Sequence, residues 1–546
     1  MAHKPTLDRL HRVVFLALLA LALFLRLWQI WDIPPGLWYD EALYCLNALS
    51  IGRGHWPIFF MLHDHPVEPL YVYTLAGAFA LFGPTVVVGR IVSALWGTIA
   101  VALFYPIGRR LMNERWALVG CFVYAVFRWP LHFSRTIFRA VTPPVFIMLV
   151  VLFFLRWRER RRTSDAMLCG LFLGLGLYTY ISFRLVPLLW LAWVVWLAWR
   201  GEIVWRRDAK ALATMVITAF LVGSPLAVDF LFHPAHFSGR LDEVSMFHER
   251  IEQRRPDGRV EVHEVPKPLS QVILGLLRNA VAVSKMWTIR GDHVGRHNLP
   301  YEPVFDWVSG IIFYIGVLWA MCYAWRREAA FLPLLWLLTL LAASVFSFGA
   351  PNILRAQGAI PAVVLLYLRG LHITAAALQR WTSRRTAAAV SAILLLWFAV
   401  VQLDTYFRRF AVSPVVRNEF LTDTFYEPAR AARLISSDVR EVWVSRDLAD
   451  HLTFQFVTYG LKNIRKYDVL GDALSSATPP AALMATTMVL QKQAQHGDPR
   501  ELLARHKTRL QREFSVLAPT TEGQWTRVPF AYLWILPIDS ASKEVR

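Results

Sequence analysis

Cysteine is scarce in this chain: there are 4 in 546 residues, Cys45, Cys121, Cys169 and Cys322, and no two form a CxxC. Three lie in apolar runs, so neither a disulfide framework nor a cysteine-based zinc site is indicated. Negative charge is also in short supply, with 39 Asp and Glu against 58 Lys and Arg and a net charge of +19. A basic balance in a soluble protein would suggest nucleic acid as a partner. Here the positive residues cluster in short loops between apolar runs, which argues against that partner. No small-residue cleavage site follows the basic start of the chain before Arg26, so the first apolar run reads as a retained helix rather than a signal peptide. No internal repeat of the transporter type is visible.

Apolar residues are what the chain has in excess. At 56% hydrophobic, a soluble molecule of this size could not cover its surface with polar groups. Repeated apolar runs of spanning length, with 14% aromatic residues to furnish interfacial belts, predict an all-α polytopic membrane protein. Lys4, Arg9 and Arg12 place the N-terminus in the cytoplasm. Basic loops at Arg109/Arg110/Arg115, Arg156 to Arg162, Arg200 to Lys210, Arg326/Arg327 and Arg380/Arg384/Arg385 belong on the same side. Between Asp40 outside and Arg109 inside the number of crossings must be odd. The run 69–83, broken by Gly83-Pro84, is therefore read as partly inserted and 86–107 as a full span. Further spans are expected near 116–131, 140–155, 166–182, 185–199, 211–229, 303–325, 331–348, 359–378 and 386–403. With 12–31 that makes about eleven. The run 269–289, interrupted by Arg278 and Lys285, is expected along the outer interface. The transmembrane unit is then 1–404, with a first outer loop 32–68 and a long outer loop 230–302. Beyond it, strand-like runs at Glu441 to Val444 and Phe530 to Leu536, with a helix-like stretch Glu501 to Leu510, predict a small extracytoplasmic α/β domain over 405–546.

The unusual polar residues fall on the outer side. Pro34-Pro35-Gly36-Leu37-Trp38-Tyr39-Asp40-Glu41-Ala42 follows the first span and puts two carboxylates at a helix exit, where charge is costly unless paired, hydrated or functional. The same loop holds His63, Asp64, His65 and Glu68. Later outer turns bring Arg135 and Arg139; Tyr178, Tyr180 and Arg184; Asp292, His293, Arg296 and His297; and Asn352 and Arg355. Carboxylates can take a proton from a hydroxyl or hold a divalent metal, and arginines at an interface suit a phosphate. The combination fits a lipid-phosphate substrate whose tail stays in the bilayer. Each group also has a plainer reading. Asp40 and Glu41 could cap the helix that follows, Arg135 and Arg139 could anchor to headgroups, and Asp292 and His293 are favoured as an ordinary loop turn.

The string Pro34 to Ala42 resembles the first outer loop of GT-C fold glycosyltransferases. It is similar above all to the bacterial family 39/83-like branch related to protein O-mannosyltransferases and lipid A aminoarabinose transferases. Further matches are Glu68-Pro69-Leu70-Tyr71, Phe82-Gly83-Pro84 followed by Arg90, Ser134-Arg135 with Arg139, Tyr178-Thr179-Tyr180 with Arg184, Gly291-Asp292 with Arg296-His297-Asn298, and Pro351-Asn352 with Arg355. Two departures stand out. An Asp-x-His-Pro-Pro string of eukaryotic relatives reads His63-Asp64-His65-Pro66-Val67-Glu68-Pro69 here, and Arg139-Ala140-Val141-Thr142 carries no acid where several relatives do.

The resemblance implies a polyprenyl-phosphate-linked sugar as donor and a hydroxyl acceptor on a protein, lipid or glycan. Transfer would occur on the extracytoplasmic face with inversion. It makes Asp40 the base, with Glu41 and Glu68 beside it in the catalytic set. Arg135, Arg139, Arg184 and Arg355 become phosphate binders, and His65, Tyr71, Arg90, Tyr180, Asp292 and His293 substrate contacts. No cofactor is certain; a divalent metal stays open, with Asp40, His63 and Asp64 as its candidates. The competing class is a transporter or flippase of lipid-linked glycans, which calls for charges in mid-helix, broken helices and paired halves.

Overall fold

The computed structural model describes residues 9–62, 65–237, 247–254, 260–437, 440–468, 481–486, 527–528 and 531–535. The expected helix at Glu501 to Leu510, and the metal candidates His63 and Asp64, lie outside them.

Helices α1 (Arg9–Leu27), α2 (Tyr39–Ile51), α3 (Leu70–Phe82), α4 (Val86–Leu111) and α5 (Glu114–Val126) follow in order. The run expected as one span over 116–131 breaks after α5. Phe127 is extended, and a short α6 (Arg128–Phe133) with Pro130 in its first turn starts a new direction. Next come α7 (Pro143–Arg160), α8 (Thr163–Gly176), α9 (Val186–Trp199) and α10 (Trp205–Phe232). The chain continues through α11 (Leu269–Lys285), α12 (Trp307–Tyr323), α13 (Glu328–Val345), α14 (Ile360–Trp381) and α15 (Arg384–Asp404). Eight of the described helical segments are long and apolar enough to cross a membrane, and α8 and α12 are shorter apolar helices. The protein is a multi-pass membrane protein. Helix α3, 13 residues long, is too short to cross a bilayer core of ~30 Å. Helix α11 leaves Leu269, Ile273, Leu274, Leu277 and Val281 exposed, as suits a helix lying in an interface.

The helices approach closely where side chains are small. A Cβ on Gly316 would sit 1.9 Å from the Leu366 carbonyl oxygen, and one on Gly370 1.8 Å from that of Ile312. Only glycine lets α12 and α14 touch backbone to backbone there, the usual way membrane helices gain packing contact.

The two ends of the bundle differ in chemistry. At one end the basic loops are tied to one another. Arg110 Nε is 2.8 Å from Glu159, Arg161 is 2.7 Å from Asp208, and Arg158 bridges Glu202 and Glu328. His11, in the first turns of α1, lies 3.3 Å from Glu114 at this same end. The opposite end gathers the loops after α1, α3, α5, α8, α10 and α13, which carry the acids and arginines expected to act together.

The last region packs on that second end. Beyond α15 come α16 (Pro414–Glu419) and α17 (Glu427–Ile435), then strand Glu441–Ser445, α18 (Arg446–Ala449), α19 (Leu452–Val457) and strand Ile464–Tyr467. Strands Ala481–Thr486, Arg527–Val528 and Ala531–Ile535 complete a mixed five-stranded sheet. In it Glu441–Ser445 runs parallel to both of its neighbours, and Ala531–Ile535 runs antiparallel to Ala481–Thr486. The α-helical side of this region holds the first loop. Thr453 Oγ1 donates to the Leu37 carbonyl at 3.1 Å, and the His451 ring meets the Tyr39 ring edge-on at 5.4 Å. Phe456 stacks on Phe79 of α3 at 5.8 Å.

Candidate active site

Helix α2 starts where Trp38 is extended, and Asp40 and Glu41 fall in its first turn, where acids complement the exposed N–H groups. The two then separate. Glu41 is fully buried and accepts from the Trp38 N–H at 2.9 Å and the Ile137 N–H at 2.6 Å. Burial pushes its carboxyl up, opposed by Arg90 and the two N–H groups. Glu41, expected beside Asp40 in the catalytic set, thus has both oxygens bound to backbone and pins the first loop to the α6–α7 turn. Asp40 is half-buried and lies within electrostatic range of Arg139.

Glu68 sits at the entry to α3, 2% exposed. It pairs with Arg139, and its other oxygen lies 3.6 Å from Arg184. Arg139 comes from the single turn of 3-10 helix before α7 and is itself buried. Its guanidinium lies 5.1 Å from the Tyr180 ring centroid and 5.9 Å from that of Tyr44. Arg139 Nε has no hydrogen-bond partner, which leaves one buried donor for a ligand. Arg184 donates to the Phe237 carbonyl at 2.8 Å and lies over the Phe230 and Phe237 rings at 5.2 and 4.9 Å. These rings, with Ala227, Leu231 and Pro234, line an open apolar hollow of about 540 Å³. Asp40, Glu68, Arg139, Tyr180 and Arg184, scattered between positions 40 and 184 of the sequence, are thereby gathered around one aromatic-walled cluster. Tyr44 was not anticipated; its position one turn after Asp40 on α2 is the signal that could have found it.

Other expected members lie elsewhere. Arg135 donates to the carbonyls of Leu25, Arg26, Trp28 and Ile33, so the expected phosphate ligand instead holds the turn that ends α1. Arg90 does the same for Ile30 and Gly36. Tyr71 is fully buried with its hydroxyl on Ser93, joining α3 to α4. In sequence, an arginine or tyrosine at a helix boundary looks alike whether it meets a substrate or a helix end. Asp292 accepts from the Val294 and Ile353 N–H groups at 2.9 and 3.0 Å and pairs with His297 at 3.2 Å. Burial would raise its carboxyl, but His297 and the two N–H groups hold it below the usual range; burial keeps His297 itself low against the pull of Asp292. Through the Ile353 N–H, Asp292 ties its own loop to the one after α13. Arg355 donates to the Phe348 carbonyl at 3.1 Å. His293 lines a separate basic cavity of about 420 Å³ with Arg278, Lys285 and Arg290. His65 opens the second strand of the hairpin Phe60–Leu62 and His65–Val67.

The residues 64–228 match the model of a family described as dolichyl-phosphate-mannose-protein mannosyltransferase. In three dimensions the chain is similar to ArnT from Cupriavidus metallidurans bound to undecaprenyl phosphate, with a TM-score of 0.55 and 13% identity, covering 89% of this chain and 94% of that one. The same enzyme in the apo state gives a TM-score of 0.53 and 14% identity over the same shares. This is the GT-C fold. No curated protein matches the chain in sequence. In this GT-C protein the matched family segment contains Glu68, Arg139 and Arg184 but stops short of Asp40, which enters the cluster through α2 alone.

Proposed function

We propose that this GT-C protein is an inverting glycosyltransferase that moves a sugar from a polyprenyl-phosphate donor to a hydroxyl acceptor on the extracytoplasmic membrane face. The observation that carries this reading is the junction of two environments at Arg184. One side of its guanidinium meets the buried Glu68–Arg139 pair and the other lies on the rings of an apolar hollow. A lipid phosphate needs both, cations for its head and an apolar surface for its tail.

In the proposed reaction Asp40, the least buried acid of the cluster, takes the proton of the acceptor hydroxyl. The acceptor oxygen attacks the anomeric carbon from the face opposite the phosphate. The bond from that carbon to the phosphate oxygen breaks, and the lipid phosphate leaves with the electron pair. A single displacement inverts the configuration. Arg139, through its unpartnered Nε, and Arg184 stabilise the charge that develops on the phosphate. Glu68 fixes both guanidinium groups, and Tyr180 walls the sugar site. The basic loops, which gather at the other end of the bundle, support this choice of face. The acceptor could be a protein, lipid or glycan hydroxyl, and the outer region against α2 lies where it would approach.

The test is purified protein given a panel of polyprenyl-phosphate sugars, with release of the lipid phosphate followed in wild type and Asp40→Asn. Turnover in wild type that is lost in the variant supports the assignment. Undiminished transfer by the variant removes Asp40 as base, and no turnover with any donor moves the weight to a flippase of lipid-linked glycans.

A further inference from the structure

The outer end of α10 carries a cluster that the transfer reaction does not use. Asp229 lies in the last turn of α10, His233 is the non-helical residue that caps it, and His236 lies in the short helical turn 234–237 that follows. Asp229 Oδ2 is 2.7 Å from His236 Nδ1, and its Oδ1 is 3.3 Å from His233 Nδ1. The two imidazole rings stack at 4.9 Å. All three ligand atoms lie within 4.8 Å of one another, and among the described residues no other group of three could hold a metal ion in this way.

Two imidazoles and one carboxylate are a zinc-type donor set, with a fourth position left for water. Zinc–ligand bonds of about 2.0–2.2 Å set neighbouring ligand atoms about 3.4 Å apart in a tetrahedron. Shifts of about an ångström or less in side chains at a helix end reach that geometry from the distances observed. Asp229 and His236 are largely shielded while the His233 side chain is 60% exposed, so the site is open on one side for metal and water to enter. The plain alternative, a carboxylate hydrogen-bonded to two histidines, explains both Asp–His contacts but gives no reason for the two imidazoles to stack.

The location gives such a site a consequence. His236 lies against Phe59 at 5.7 Å, and Phe237, the next residue, gives its carbonyl to Arg184 and its ring to the same guanidinium. We propose that Asp229, His233 and His236 form a divalent-metal site of the zinc class that clamps the turn after α10 and so positions Arg184 over the cluster. Metal binding stands independently of the transferase reading; the effect on Arg184 rests on it.

The experiment uses the full chain, without a histidine tag, in detergent. Zinc content is measured after equilibrium dialysis, and cobalt(II) is titrated in as a spectroscopic probe. The expected result is about one zinc per chain and a saturable visible cobalt band displaced by zinc. Both should be lost in His233→Ala/His236→Ala and weakened at least tenfold in Asp229→Asn. No saturable band in wild type, which needs no variant to fold, overturns the site. So does unchanged zinc in a double variant that elutes as wild type on size exclusion. If zinc binds as expected, stripping it should raise the KM for the lipid donor severalfold with little change in kcat, reversed by added zinc and absent in Arg184→Ala. A donor KM that ignores zinc overturns the positioning of Arg184 while leaving the metal site and the transferase reading standing.

Discussion

Glu68 and Arg139 form a buried ion pair, each side chain 3% exposed, across 71 positions of sequence. The pair joins the end of the loop after α2 to the start of α7, so it is at once a fold contact and the floor of the proposed site. Arg139→Ala leaves a buried carboxylate with only Arg184, 3.6 Å away, to compensate it. Breaking such a pair from one side costs about 3–5 kcal/mol. Thermal unfolding in detergent should show that loss, and lipid-phosphate release should fall by about 10²–10³. Arg139→Lys keeps the charge but not the fork of donors; it should recover most of the stability and little of the rate.

Asp40 and Glu41 should separate cleanly. Asp40→Asn is expected to leave thermal stability unchanged and lower turnover by about 10²–10⁴, the usual range for a general base. Glu41→Ala should do the reverse in emphasis. It strands the Trp38 and Ile137 N–H groups, which now donate at 2.9 and 2.6 Å, and each buried donor left unmade costs about 1–3 kcal/mol. The measurement is the pair of values, unfolding temperature and rate, for each variant. Equal loss of both quantities in the two variants would contradict the division of roles.

The sequence made the architecture readable and the cluster only partly so. The basic loops, the break at Gly83-Pro84 and the interrupted run holding Arg278 and Lys285 each have one physical interpretation in a bilayer, and the helices fall where those signals point. A boundary arginine costs solvation energy and wants a partner, an argument that picks out Arg139, Arg184, Arg90 and Arg135 alike. The first two lie beside Glu68 and the last two donate to backbone carbonyls near the end of α1. Which anion an arginine meets is decided by long-range packing, and no local pattern carries it. Asp229, His233 and His236 had a local signal, the i, i+4, i+7 spacing, but it lay hidden at the end of an apolar span where the eye follows hydropathy.

The contact between His451 and the first loop should respond to pH. His451 Nδ1 accepts from the Thr453 N–H at 3.3 Å, capping α19, while its ring stacks on Phe425 at 3.6 Å and touches Tyr39. Burial lowers its pKa to about 4, from an ordinary 6.5. The unfolded chain therefore takes up a proton below about 6.5 that the folded one resists. The contribution is whole above that pH and declines as pH falls towards about 4. Limited proteolysis of the region after α15 should accelerate across that window. His451→Asn, which keeps a capping acceptor without titrating, should flatten the dependence.

Gly36 offers the sharpest test of whether the region after α15 holds the loop of Asp40 in place. Its carbonyl accepts from Arg90, and a Cβ there would stand 2.6 Å from both the Phe420 carbonyl oxygen and Thr422 Oγ1. Neither atom is the end of a flexible chain, because one is backbone and Thr422 is fully buried. Gly36→Ala must therefore push the 420–422 segment away or move the loop itself, at a cost of about 1–3 kcal/mol. Four residues on, Asp40 would be displaced with it. Turnover should fall severalfold or more even where the unfolding temperature drops only a few degrees, since proton transfer needs hydrogen-bond reach that a shift of an ångström destroys. Asp40→Asn and Gly36→Ala combined should then be no slower than Asp40→Asn alone. A double variant slower by the product of the two effects would mean that Gly36 acts on something other than the base.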